Sequence, residues 1–158
     1  MKVLVVDDVA IMRTVFITLL HKFCGTTKKN IIEAINGREG VALYKKEKPD
    51  IVFLDISMPD LDGFTVVKRI MDFDPKAIII MCTASPYAND VKACKRAGAK
   101  DYILKPPNPE RVVKAMETFA PGYYEFRAFN KVANAQAEAE QKPVQSEALK
   151  KAMEGMHY

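Results

Sequence analysis

Ile51-Val52-Phe53-Leu54-Asp55-Ile56-Ser57-Met58-Pro59-Asp60-Leu61-Asp62-Gly63 is the stretch on which the fold turns. Four apolar residues stop on a carboxylate and give way to a turn-rich loop, which reads as a buried strand opening onto a polar edge. The chain start repeats the pattern, with Val3-Leu4-Val5-Val6 leading into Asp7-Asp8. Two later runs behave alike: Ala77-Ile78-Ile79-Ile80-Met81-Cys82 stops on Thr83, and Tyr102-Ile103-Leu104 stops on Lys105. Runs that are apolar throughout, rather than alternating, suit parallel strands covered on both faces.

Working outward, strands are expected near 2–6, 30–34, 50–54, 77–82 and 101–104, and helices near 10–23, 38–47, 63–72, 87–97 and 109–119. Met12, Val15, Phe16, Leu19 and Leu20 place one apolar face on the first helix. Gly98 suits a C-cap, and Asn108 before Pro109 suits an N-cap followed by proline at the first helical position. Strict alternation of strand and helix implies a doubly wound α/β domain, a parallel sheet with helices on both faces joined by right-handed crossovers.

The chain has 158 residues, 49% apolar and 28% charged, enough for one domain of residues 1–120 with a real core. No stretch approaches the ~20 apolar residues of a membrane span, and the N-terminus enters a strand without a signal-peptide pattern. A cytoplasmic location follows as the default. Cys24, Cys82 and Cys94 show no metal-like pairing and fit a reducing compartment, with Cys82 a small core residue. The net charge of +4 resides in residues 1–120, because five basic and five acidic residues cancel in 121–158. That excess is too mild to argue for nucleic acid.

Texture changes at Pro121. Tyr123, Tyr124, Phe126 and Phe129 cluster, an Ala/Glu/Gln-rich stretch spans 133–141, and Leu149, Met153 and Met156 suit a short helix starting at Ser146. Residues 121–158 thus read as a partly helical tail or linker, either resting its aromatics on the domain or serving a partner.

Because the strands are parallel, Asp7, Asp8, Asp55, Thr83 and Lys105 emerge at one sheet edge, where open α/β sheets bind ligands. At an effective dielectric of about 20, two charges about 4 Å apart repel by roughly 4 kcal/mol. A hard divalent cation relieves such crowding, and carboxylates with few other protein ligands suit Mg²⁺. Carboxylate nucleophile, metal, hydroxyl and ammonium together are the set that phosphoryl transfer to an aspartate needs. Each residue has a plainer reading: Asp7 or Asp8 as a helix cap, Thr83 as a strand-end hydroxyl, Tyr102 as half-buried core, Lys105 as a surface lysine. Their order at successive strand ends favours the chemistry. His21 and His157 have no companions at ligand spacing and receive no role.

With Asp7-Asp8, Asp55 followed by Met58-Pro59-Asp60 and Asp62-Gly63, Thr83-Ala84, and Lys105-Pro106, residues 1 to about 120 resemble the receiver domains of two-component response regulators, chemotaxis-regulator-like in type. The resemblance implies a flavodoxin-like five-stranded sheet of order 2-1-3-4-5 with five helices. It further implies that Asp55 accepts a phosphoryl group from a sensor histidine kinase or phosphotransfer protein. Asp8, Asp55 and the backbone carbonyl of Ser57 would bind Mg²⁺, with Asp7 acting through water. Lys105 would pair with the phosphoryl group, Thr83 would swing toward it, and Tyr102 would rotate inward behind the hydroxyl. The readout surface would be residues 87–120, which would bind an output protein or, like the tail, serve a dimer. Pro107 departs from the aromatic residue that many relatives carry there. Ser57 and Ser85 would flank the route of attacking water.

On this reading the chain is a phosphorylation-operated switch and not an enzyme beyond its own phosphorylation and dephosphorylation. Direct nucleic-acid binding and membrane association are not expected of it. Two other readings stay open: a receiver fragment of a larger regulator with a DNA-binding or enzymatic output, and a Mg²⁺-dependent aspartyl phosphohydrolase.

Overall fold

The computed structural model describes residues 1–120. In chain order these form β1 (Val3–Val6), α1 (Ala10–Cys24), a 3₁₀ turn (Lys28–Asn30), β2 (Ile31–Ala34), α2 (Gly37–Glu47), β3 (Ile51–Asp55), α3 (Gly63–Phe73), β4 (Ile79–Thr83), α4 (Ala88–Ala97), β5 (Asp101–Leu104) and α5 (Pro109–Phe119). The strands make one parallel sheet in the order β2-β1-β3-β4-β5. The expected flavodoxin-like α/β architecture is therefore present.

Alternation along the inner strands builds two cores. Val3, Val5, Phe53 and Ile80 point to the side packed with Phe16 and Leu20 of α1 and Val112 and Met116 of α5. Leu4, Val6, Val52, Leu54 and Met81 point to the other side, against Val41 of α2, Val66, Val67 and Ile70 of α3 and Cys94 of α4. Fully burying each such side chain contributes about 1.5–3 kcal/mol. All three cysteines lie in these cores. No helix among the described residues is long and apolar enough to cross a membrane.

Helix ends follow local chemistry. Asn36, Asp62 and Asn108 each accept the backbone N–H three residues on, capping α2, α3 and α5, and Gly98 closes α4 in the left-handed conformation. Two details differ from expectation. β4 starts at Ile79 rather than 77, because Asp74 folds a turn, accepting from Lys76 N through its carboxylate at 3.0 Å and from Ala77 N through its carbonyl at 3.0 Å. Neither Asp7 nor Asp8 caps α1: Val9 holds that position and has no side-chain cap bond. The aromatic cluster at 123–129, the 133–141 stretch, the helix expected from Ser146 and His157 lie outside the described residues.

Candidate functional site

β1 and β3 are neighbours in register, Val6 opposite Leu54, so Asp7 and Asp55 leave the sheet side by side. One ligand oxygen from each of Asp7, Asp8 and Asp55 falls within 4.8 Å of the others. Asp7 and Asp55 are buried, at 1% and 5% exposure, while Asp8 faces solvent. Buried charges need partners, and Lys105 supplies one from the end of β5. Its Nζ donates to Asp7 Oδ2 at 2.6 Å and lies 3.0 Å from Asp55 Oδ1.

Burial pushes the Asp55 carboxyl above its ordinary range and the Asp7 charge adds to this, against the hydrogen bond and charge of Lys105, which favour the anion. For Lys105, burial acts to discharge the ammonium, but hydrogen bonds and charges from Asp7 and Asp55 outweigh it and raise its pKa. The cluster thus carries three carboxylates against one ammonium. Its donor set is all oxygen and one carboxylate opens to water, which fits a hard cation that retains part of its hydration.

The loop from β3 to α3 is shaped around Asp55. Ser57 N donates to Asp55 Oδ1 at 3.2 Å, and Gly63 N closes the loop onto the Ile56 carbonyl at 2.8 Å. A Cβ on Gly63 would stand 2.5 Å from the Asp55 carbonyl oxygen, so only glycine permits this closure. Asp62 then caps α3 by accepting from Thr65 N at 3.0 Å.

Thr83 sits at the same sheet edge but not on the carboxylates, and Tyr102 lies two residues back along β5, opposite Met81. Thr83 is buried at the end of β4, and its Oγ1 accepts from Ser85 N at 3.0 Å. The Ser85 hydroxyl in turn donates to the Asp90 carboxylate in the first turn of α4. Tyr102 is half-buried against the core on the α2–α3 side and borders a cleft of about 420 Å³ with Leu104, Pro106, Asn108 and Arg111. The expected site residues Asp7, Asp8, Asp55 and Lys105 are therefore brought together, with Ser57 beside them, while Thr83 meets Lys105 only through its backbone carbonyl, which accepts from Lys105 N at 2.7 Å.

Sequence reading missed two supports. Arg13 donates to the Asp7 carbonyl at 2.9 Å through Nη1 and to Glu33 Oε2 at 3.1 Å through Nε, fixing the loop that carries Asp7 and Asp8. A charged residue beside the apolar face of α1 was the available signal. Asp60 reaches the start of α2, accepting from Gly37 N at 3.1 Å and Arg38 N at 3.0 Å. His21, left without a role, has Nδ1 3.1 Å from the Thr26 carbonyl, and the larger cleft that it lines contains none of the acidic cluster.

The response regulator receiver domain family model matches residues 3–117. The chain is 46% identical over 115 residues to the chemotaxis protein CheY of Thermotoga maritima, covering 73% of this chain and 93% of that one. Among solved structures it is similar to the CheX–CheY–BeF3–Mg complex from Borrelia burgdorferi, with 34% identity and a TM-score of 0.66 over 75% of this chain and 88% of that chain. It is also similar to the Saccharomyces cerevisiae complex of the histidine phosphotransfer protein Ypd1 with the receiver domain of Ssk1. There the identity is 28% and the TM-score 0.67, over 76% of this chain and 89% of that chain.

Proposed function

The chain belongs to the response regulator receiver domain family of two-component signalling, and from that membership we propose that its switch is phosphorylation of Asp55. The observation that carries this reading is the Lys105 ammonium set between the buried carboxylates of Asp7 and Asp55, at 2.6 and 3.0 Å. It marks the position where negative charge must be absorbed when a phosphoryl group arrives.

An Asp55 carboxylate oxygen attacks the phosphorus of a phosphohistidine on a sensor kinase or phosphotransfer protein. The P–N bond breaks, the imidazole leaves with the electron pair and takes a proton, and an acyl phosphate remains on Asp55. Asp8, Asp55 and the Ser57 carbonyl are the residues that would hold Mg²⁺, with Asp7 acting through water; when bound, the ion supplies positive charge to the phosphoryl oxygens. Lys105 pairs with the transferred group, keeping its place beside Asp55.

The new group carries about −1.5 to −2 charges at neutral pH. Its oxygens accept from the Thr83 hydroxyl, whose Oγ1 accepts from Ser85 N before phosphorylation, and Thr83 turns toward it. Tyr102 rotates inward behind Thr83, and residues 87–120 change shape for an output protein. Exposed Val9, Ile11, Ile35 and Tyr87 on the loops and first turns beside the acidic edge support docking of a phosphodonor protein there. The complexes of similar receivers with the histidine phosphotransfer protein Ypd1 and with CheX support protein partners for this chain. A cytoplasmic setting goes with this reading, and core thiols at Cys24, Cys82 and Cys94 suit it.

Acetyl phosphate and Mg²⁺ test the assignment directly. Wild-type protein is expected to take up a base-labile label, and Asp55→Asn to take up none. Wild-type labelling of the Asp55→Asn protein sinks it.

A further inference from the structure

The β3–α3 loop carries the Ser57 carbonyl, and its tip is fastened to an element that takes no part in the acidic cluster. The loop base is closed locally, through Gly63 N on the Ile56 carbonyl at 2.8 Å. At the tip, Met58 is buried and Leu61 half-buried in the core on the α2–α3 side. Asp60 points the other way and spends both carboxylate oxygens on α2, taking Gly37 N at 3.1 Å and Arg38 N at 3.0 Å.

The first backbone N–H groups of a helix have no partner within it. In α2 the third belongs to Asn36, whose side chain accepts from Glu39 N at 2.8 Å, while Glu39 reaches back to Ile35 N at 2.9 Å. Asp60 therefore completes the start of α2 from 22 and 23 residues away. The two segments touch closely as well. A Cβ on Gly37 would stand 2.6 Å from the Leu61 carbonyl oxygen and 2.8 Å from Val66 Cγ2. A carboxylate gripping two aligned N–H groups fixes both the position and the orientation of a loop.

We propose that Asp60 is a positioning residue for the metal: by clamping the β3–α3 loop onto the start of α2, it holds the Ser57 carbonyl ready for the ion. The inference rests on the Mg²⁺ assignment made above. It gives α2, which contributes no ligand, a part in setting metal affinity. Partners of metal ligands typically change affinity by about 10–100-fold when removed. A backbone carbonyl held through its loop belongs at the lower end.

Calorimetric titration of Mg²⁺ into the phosphate-free protein tests this, alongside urea unfolding of the same samples. Asp60→Ala is expected to weaken Mg²⁺ binding about tenfold. Asp60→Asn, which retains one acceptor oxygen, should fall between it and wild type. Arg38→Ala keeps its backbone N–H and should bind like wild type. Hydrogen exchange at the Gly37 and Arg38 amides should speed up in Asp60→Ala. If Asp60→Ala loses its fold, Asp60→Asn carries the test. Wild-type Mg²⁺ affinity in the folded Asp60 variants, whatever their urea midpoints, overturns the inference and leaves Asp60 a structural cap. Failure of the wild-type protein itself to bind Mg²⁺ overturns the assignment beneath it.

Discussion

Lys105 Nζ stands 2.6 Å from Asp7 and 3.0 Å from Asp55, so one ammonium answers two buried carboxylates carried by two other strand ends. Removing one partner of a buried charge group strands the others and costs about 3–5 kcal/mol. Lys105→Ala should therefore destabilise the metal-free protein by roughly that amount in urea unfolding. Added Mg²⁺ should restore a substantial part, because it returns positive charge to the same oxygens. A loss below about 1 kcal/mol, the scale of an exposed pair, would show that the cluster is solvated rather than buried.

Asp55 contributes the opposite pH dependence from a salt-bridged carboxylate. Burial first, then the Asp7 charge, raise its folded pKa above the unfolded value, with Lys105 opposing. Between those two pKa values the folded state binds more protons than the unfolded state, so stability from this group falls as pH rises through the window. Below the unfolded pKa of about 3.8 both states are protonated and the penalty vanishes. Asp55→Asn should accordingly stabilise the metal-free protein at pH 7 and lose that advantage as pH is lowered toward 4. Urea midpoints of both proteins across that range check the sign. A deficit for Asp55→Asn at neutral pH would mean that its bond to Lys105 outweighs burial.

The sheet was legible because its strands stop on polar residues at one level, and because Asn108-Pro109 and Gly98 state helix ends in their own chemistry. Ala77 and Ile78 misled by being apolar between the turn that Asp74 closes on Ala77 N and the start of β4. Arg13 and Asp60 were invisible for a different reason. Their partners are backbone atoms of distant segments, the Asp7 carbonyl and the Gly37 and Arg38 amides, which periodicity does not report. Thr83 was placed at the correct edge, but its bond to Ser85 N depends on how the chain turns after β4.

Gly63 tests how tightly the loop encloses Asp55. An added methyl would meet the Asp55 carbonyl at 2.5 Å and Ile56 Cα at 2.7 Å, both backbone atoms that cannot rotate away. Overpacking of this kind costs about 1–3 kcal/mol. Gly63→Ala should lose that much in urea unfolding and also label more slowly with acetyl phosphate, since the shift falls on Asp55 itself. Slow labelling without lost stability, or the reverse, would separate the two effects and contradict a shared steric cause.

The lifetime of the phosphoryl group should be set by what stands over Asp55 and Thr83. Ser57 is exposed two residues beyond Asp55, whereas Ser85, two beyond Thr83, is half-buried with its hydroxyl on Asp90. Both side chains are small and leave a path for water to the phosphorus. Ser57→Arg would spread a guanidinium across that path and pair with the phosphoryl oxygens. Ser85→Tyr would fill it from the other side and also free Asp90. Each should slow loss of label in a chase by several-fold, and Ser85→Tyr should alter α4 as well, because it removes the hydroxyl that ties the first turn to the Thr83 loop. A chase with unchanged rates in both variants would place the hydrolytic water on a route that neither residue borders.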